Sequence, residues 1–270
     1  MTKIRLWCSK HHKFIPFIIT PLVLLLSLFI ESSLFFDKLM KIEIADVDPY
    51  YVAKIVLITI LGIFTFGLIK LLYPKWSFGF RKDGFKSGVK KYGTIILVAA
   101  IIRALSEYFG HIPLNHMPSL QRIIIEYFVY LICIGFYEEM LWRGLFLNSL
   151  RNIFAKSKYS SFIAVIISAL AFGFVHIFDM LGEPVFEIFI KMLYVSAFGI
   201  FLGALYVKTK NIWIPMIAHN LMNFAGLPQF FSTQPYPDIA AYVSVSVYVL
   251  LGVFGFVIML KVARNDNFSR

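Results

Sequence analysis

The sequence predicts an all-α fold: a polytopic membrane helix bundle with about eight transmembrane helices. Three observations predict it. Hydrophobic residues make up 59% of the 270-residue chain, against roughly 45–50% in ordinary globular proteins. Charged residues contribute only 15%, where about 25% is usual. The apolar residues also gather into eight runs of near-spanning length, separated by short charged connections. So much apolar surface cannot be hidden inside a water-soluble body of this size. The same composition excludes a disordered chain, which needs low hydrophobicity and high charge.

A bilayer-spanning helix needs about 20 mainly apolar residues. The eight runs are 14–30, 51–72, 92–108, 122–147, 161–178, 185–207, 212–227 and 240–261. The first follows Lys3, Arg5, Lys10 and Lys13, as a signal peptide would. No small-residue cleavage site follows near Glu31, Ser32 and Ser33, so it reads as a retained anchor. Behind it come Glu31, Asp37, Glu43, Asp46 and Asp48, diluted by Lys38 and Lys41. The second connection holds Lys75, Arg81, Lys82, Lys86, Lys90 and Lys91. The third offers only His111 and His116, and the fourth carries Arg151, Lys156 and Lys158. Asp179 and Glu183 fill the fifth, Lys208 and Lys210 the sixth, Asp238 the seventh, and Arg264 and Arg270 the tail. Lys and Arg concentrate on the cytoplasmic side of membrane proteins. Basic connections therefore alternate with acidic or near-neutral ones, and eight spans with both termini cytoplasmic satisfy the rule. An integral protein of the cell membrane is expected, a single transmembrane domain over 1–270 with lipid as its surroundings.

The net charge of +11 does not point to nucleic acid, because the basic residues lie between apolar runs and not on an arm or stripe. Cys8 and Cys133 are far apart and belong to no CxxC pair, which argues against a disulfide framework or a cysteine-type zinc site.

Charges at membrane depth cost about 2.5–3.5 kcal/mol each on insertion scales, so each one is informative. The fourth run holds Glu138, Glu139 and Arg143. Neighbours on a helix point about 100° apart, so the two acids face different ways. Glu139 and Arg143 are four apart and can pair, which leaves Glu138 without an ionic partner on its own helix. A carboxylate so placed can serve as a general base or acid. The fifth run ends in Phe172 and His176, and the seventh holds His219 and Asn223, four apart on one face. Two histidines and a carboxylate resemble the protein half of a catalytic zinc site. The same set can work without metal, the carboxylate activating water while a histidine or asparagine stabilises the oxyanion. Spacing does not separate the two, and there is no HExxH.

EExxxR at Glu138, Glu139 and Arg143, FxxxH at Phe172 and His176, and HxxxN at His219 and Asn223 follow in this order on apolar runs. In these motifs the chain resembles the CPBP family, the CAAX-processing and bacteriocin-processing (Abi) intramembrane endopeptidases. The resemblance covers about 122–227, a little under half of the chain, and makes that stretch the expected catalytic core. It implies an intramembrane (metallo)endopeptidase of the type II CAAX prenyl protease kind, with an eight-helix core. Glu138 would activate the attacking water, His176, His219 and Asn223 would complete the site, and Arg143 with Glu139 would support it. The family is usually described as metal-dependent, which would place a divalent ion such as zinc at Glu138, His176 and His219; a metal-free glutamate-activated water is the other account. Substrates would be membrane-associated proteins or peptides. Known relatives cleave prenylated CAAX proteins, and others act in bacteriocin maturation, self-immunity or peptide signalling. Two other classes compete: a non-enzymatic immunity or scaffold protein, and a proton-coupled transporter. The transporter is disfavoured because the polar residues crowd into the second half, without the matched halves such proteins show.

Other polar residues read as structural. Arg103 with Glu107 and Glu187 with Lys191 are i,i+4 pairs. Glu126 is expected to be solvated or paired. Gly199 and Gly203 suit close helix packing. His11 and His12 are expected in the interface. Trp76, Trp142 and Trp213 are expected near span ends, and Pro215 near a helix start. One conflict stands. At about 1.5 Å per residue, His176 lies about 24 Å along its helix from Ser160, but His219 only about 10 Å from Ile212. A shared site then requires tilt, a kink or a connection that dips into the membrane.

Overall fold

The structure is a computed structural model that describes residues 15–31, 33–72, 79–109, 118–232 and 238–265. Lys3, Arg5, Lys10, Lys13, Lys75, Arg270, Cys8, Trp76, His11, His12, His111 and His116 lie outside the described residues, as do both chain termini.

The apolar runs form helices because membrane hydrocarbon offers no partner for backbone amides, and only a helix or a closed barrel satisfies them internally. Helix α1 spans Ile15–Glu31, a short α2 spans Leu34–Leu39, and α3 spans Pro49–Leu72. Helix α4 covers Phe85–Phe109, and α5 runs through Leu120–Ile153. Helix α6 is Ser160–Val175, α7 is Val185–Thr209 and α8 is Trp213–Phe224. A four-residue α9, Leu227–Phe230, precedes α10, Asp238–Asn265. Extended pairing among the described residues is limited to an isolated bridge between Ile44 and Val47.

Among the described residues, six helices are long and apolar enough to cross a membrane: α3, α4, α5, α6 with its following 3₁₀ turn to Met180, α7 and α10. The expected seventh span, 212–227, is shorter than a span. Its 12 helical residues reach about 18 Å, well short of the roughly 30 Å hydrocarbon core. Much of its apolar surface is buried in protein, at Ile214, Pro215, Met216, Ala218 and Met222, while Trp213 and Ile217 stay exposed. Helix α1 is also shorter than a full span.

Close packing follows the small residues. Gly199 lies against Ala169 and Gly203 against Val165, which joins α7 to α6. Gly252 and Gly255 lie against Ala197 and Phe201, which joins α10 to the other side of α7. A methyl group would collide with its neighbour at Gly252 or Gly255 and crowd it at Gly199 or Gly203, and small residues are what let membrane helices approach closely. Helix α7 is therefore central, with Phe201, Leu202, Ala204 and Leu205 wholly buried.

The entrance of α8 is held from outside. Gly79 accepts from the Ile212 amide, Arg81 Nε donates to the Lys210 carbonyl, and Asn211 Nδ2 donates to the carbonyls of Arg81 and Asp83. Gly84, at φ +78°, lies so near the Thr209 carbonyl that a side chain there would overlap it. At the opposite end of α5, Glu126 is fully buried and takes both Arg122 (2.8 and 3.0 Å) and the Asp48 amide (2.7 Å), so it is paired. Two expectations are corrected. Trp142 is buried mid-helix against Phe146 and Phe172, far from a span end, because it fills the α5–α6 interface. Lys191 reaches Asp179 at 3.9 Å in place of Glu187, because the turn after α6 brings that acid alongside.

Candidate active site

Helix α5 is not uniformly α-helical. Two stretches, Ile123–Val129 and Met140–Leu147, adopt the wider π-helical bonding, and the second begins directly after Glu138 and Glu139. Such π segments recur at functional sites because they re-aim side chains without ending the helix. Asn148 closes the second one, its Nδ2 donating to the carbonyls of Arg143 and Gly144 (3.2 and 3.0 Å) and to Tyr206 (2.7 Å).

Within this segment Arg143 Nη1 donates to Glu139 Oε1 at 2.6 Å, the pairing expected from the four-residue spacing. Both side chains are almost wholly buried. The guanidinium also donates to the Gly199 carbonyl at 3.4 Å and sits 4.8 Å from the Phe172 ring centroid. Glu139 has a second partner that the sequence reading missed. The same Oε1 lies 2.9 Å from His219 Nδ1, and a carboxylate accepts, so Nδ1 carries the proton. The opposite nitrogen, Nε2, is then turned toward Glu138, 3.6 Å from its Oε2. That is long for a direct hydrogen bond and suits one molecule or group held between the two. Glu138 is about one-fifth exposed, whereas Glu139 is fully buried.

Helix α8 reaches this position through close contact with α5. Gly135 faces the Asn220 carboxamide, and a Cβ there would fall 2.9 Å from Asn220 Cγ. Asn220 Oδ1, Glu139 Oε2 and the Tyr137 hydroxyl are buried without a hydrogen-bond partner among the described residues. They give this part of the interior a polar character that apolar packing would not need.

His176 stands at the end of α6. Its amide bonds to Gly173, so the Phe172 carbonyl is left to the His176 ring, and Nδ1 donates to it at 2.7 Å. Nε2 of His176 is thereby the acceptor nitrogen in the neutral ring. The Phe172 ring packs edge-on against both His176 (4.8 Å between centroids) and His219 (6.2 Å). His219 lies midway along the 12-residue α8, where its ring meets Glu138 and Glu139. Asn223 is brought to this end of α8 by its backbone, whose carbonyl accepts from Tyr127 at 2.8 Å.

The structure thus joins Glu138, Glu139, Arg143 and His219 directly, places His176 one aromatic ring away, and sets Asn223 one helical turn beyond His219. The expected ligand set for a divalent metal can be tested on this geometry. Two zinc ligands with bonds of about 2.1 Å sit about 3.4 Å apart in a tetrahedral site; Glu138 and His219 come near that. Among the described residues no group of three or more His, Cys, Asp or Glu side chains is gathered for a metal. As placed, Glu138, His176 and His219 do not form a three-ligand set.

Residues 120–225 match the family model described as Type II CAAX prenyl endopeptidase Rce1-like. The match supports the CPBP/CAAX protease family. It spans the three motifs and every residue of the site above. No curated protein and no solved structure shows a significant match to the chain. At family level the match supports a CAAX-type intramembrane protease, and the apolar helices support an integral membrane protein.

Proposed function

We propose that the chain is an intramembrane endopeptidase in which Glu138 is the general base. Water bound at its carboxylate attacks the carbonyl carbon of a peptide bond, and Glu138 takes the proton that water loses. The carbonyl oxygen becomes an oxyanion, stabilised by the Asn223 carboxamide N–H and by the imidazoles in their protonated form, in which Nε2 is also a donor. The proton held by Glu138 passes to the amide nitrogen, the C–N bond breaks, and a carboxylate and an amine leave. Glu139 fixes the His219 ring through Nδ1 and is itself fixed by Arg143, an arrangement comparable to the acid that orients a catalytic histidine. The substrate class is a membrane-associated peptide or protein segment, with a prenylated carboxy-terminal motif as the first candidate on the family match.

The observation that carries this reading is the 3.6 Å approach of Glu138 Oε2 to His219 Nε2, with the far side of the same imidazole anchored on a buried carboxylate. The test is cleavage of farnesylated and unmodified peptides by protein reconstituted in vesicles, wild type against Glu138→Gln. Loss of the general base is expected to lower kcat about 10²–10⁴-fold with expression and insertion unchanged. Cleavage at the wild-type rate by Glu138→Gln would refute the assignment.

A further inference from the structure

A helix that stops inside a bundle leaves its last four carbonyls without helical partners, and away from water each must find another donor. In α8 these carbonyls belong to Leu221, Met222, Asn223 and Phe224. The Ala225 amide reaches back to Leu221 at 3.2 Å. The Gly226 amide, which a continuing helix would have aimed at Met222, turns to Asn223 at 3.0 Å, where the Tyr127 hydroxyl also donates. Met222 is served from another helix: Arg103 Nη1, on α4, donates to its carbonyl. The cation also suits the negative end of the α8 dipole.

Arg103 is held for this task. Nη1 donates to the Tyr248 hydroxyl at 2.7 Å, the guanidinium lies 5.3 Å from the Tyr248 ring centroid, and Nη2 pairs with buried Glu107 at 3.5 Å. Glu107 in turn accepts from the Gln229 amide at 3.4 Å, so the turn after α8 is tied to the same group. Gly226 makes room: a Cβ there would stand 2.9 Å from Arg103 Nη2. The cluster also touches the site by a second route. Tyr248 packs on Phe198 at 5.0 Å between centroids, and Phe198 packs edge-on against His219 at 5.7 Å.

We infer that Arg103 is a positioning residue for the hydrolysis, setting the depth and rotation of α8 through the Met222 carbonyl, and so placing His219 and Asn223 against Glu138. The inference rests on the peptidase reading. Met222 is three residues from His219, about 4.5 Å along the axis, so a small slip at the carbonyl end is passed on to the imidazole with little loss. The simple i,i+4 neutralisation of Arg103 by Glu107 is only part of what this arginine does.

The experiment compares kcat and KM for peptide cleavage in wild type, Arg103→Gln, Arg103→Lys and Gly226→Ala, with thermal unfolding in detergent measured alongside. Arg103→Gln and Gly226→Ala are expected to lower kcat about ten- to a hundredfold, the cost of misplacing a reacting group by about 1 Å, while KM stays near the wild-type value. Arg103→Lys, which keeps one charged donor, is expected to recover part of kcat. The inference is overturned if Arg103→Gln keeps the wild-type kcat, if only KM changes, or if lysine rescues nothing. Unfolding of both Arg103→Gln and Gly226→Ala would also overturn it, since the arginine would then serve the fold as a whole. Glu138→Gln, run in parallel, separates the two ideas. Survival of cleavage there removes the peptidase reading. Abolition there, with full kcat in Arg103→Gln, removes only the role of Arg103.

Discussion

Glu139 holds two partners on one oxygen, and that sharing can be taken apart by mutation. Glu139→Leu alone strands Arg143, whose side chain is 2% exposed. Breaking a buried pair by removing one partner costs about 3–5 kcal/mol, a large fraction of the roughly 5–15 kcal/mol that holds a typical domain together. Adding Arg143→Met removes the stranded charge. Replacing a buried pair with apolar residues of similar volume is often neutral or better, so the double variant is expected to regain most of the lost stability. It is not expected to regain activity. His219 Nδ1 has still lost the acceptor that stood 2.9 Å away, and a loosely held imidazole lowers kcat by about 10²-fold. Thermal unfolding in detergent and peptide cleavage, measured on both variants, give the two readings. If the double variant is as unstable as Glu139→Leu, the buried-charge account is wrong. If it cleaves at the wild-type rate, Glu139 does not orient His219.

Two other predictions concern the approach of α8 and the metal. Gly135→Ala is expected to lower cleavage with Glu138 and both histidines intact, because the added methyl displaces the Asn220 carboxamide; pairing it with Asn220→Ala, which clears that space, should restore part of the rate, as seen in single-turnover cleavage. Incubation with a zinc chelator followed by metal analysis is expected to leave Glu138-dependent cleavage unchanged, since among the described residues no three His, Cys, Asp or Glu side chains are gathered for a metal; loss of activity restored by added zinc would contradict that.

Much of the bundle was readable in the sequence because apolar runs and charged connections are local features. The runs at 51–72, 122–147, 161–178, 185–207 and 240–261 each became a helix of spanning length, and α4 began earlier than the run at 92–108 because Lys86, Lys90 and Lys91 ride on its first turns. The failure at α8 has a physical cause. Hydropathy measures the distaste of a side chain for water, and a methionine such as Met222 scores the same whether it is buried in protein or faces lipid. The Glu139–Arg143 pair was visible because both residues share one helix. The bond from Glu139 to His219 was not, since 80 positions separate them and nothing in either motif names the other. The π-helical stretch after Glu139 had no sequence signal in the reading either. Arg103 and Glu107 were seen as a self-contained pair for the same reason, as the Met222 carbonyl and Tyr248 belong to distant parts of the chain.

The ties that Gly79 and Arg81 make to Ile212 and Lys210 make the stretch ahead of α4 a gauge block for α8 and the proposed site it carries. Asn211 meets Arg81 across 130 positions of sequence, so a residue added or removed near Arg81 would shift where α8 starts and, with it, how far His219 travels inward. Length changes in that outlying loop should therefore lower cleavage as a change at His219 itself would.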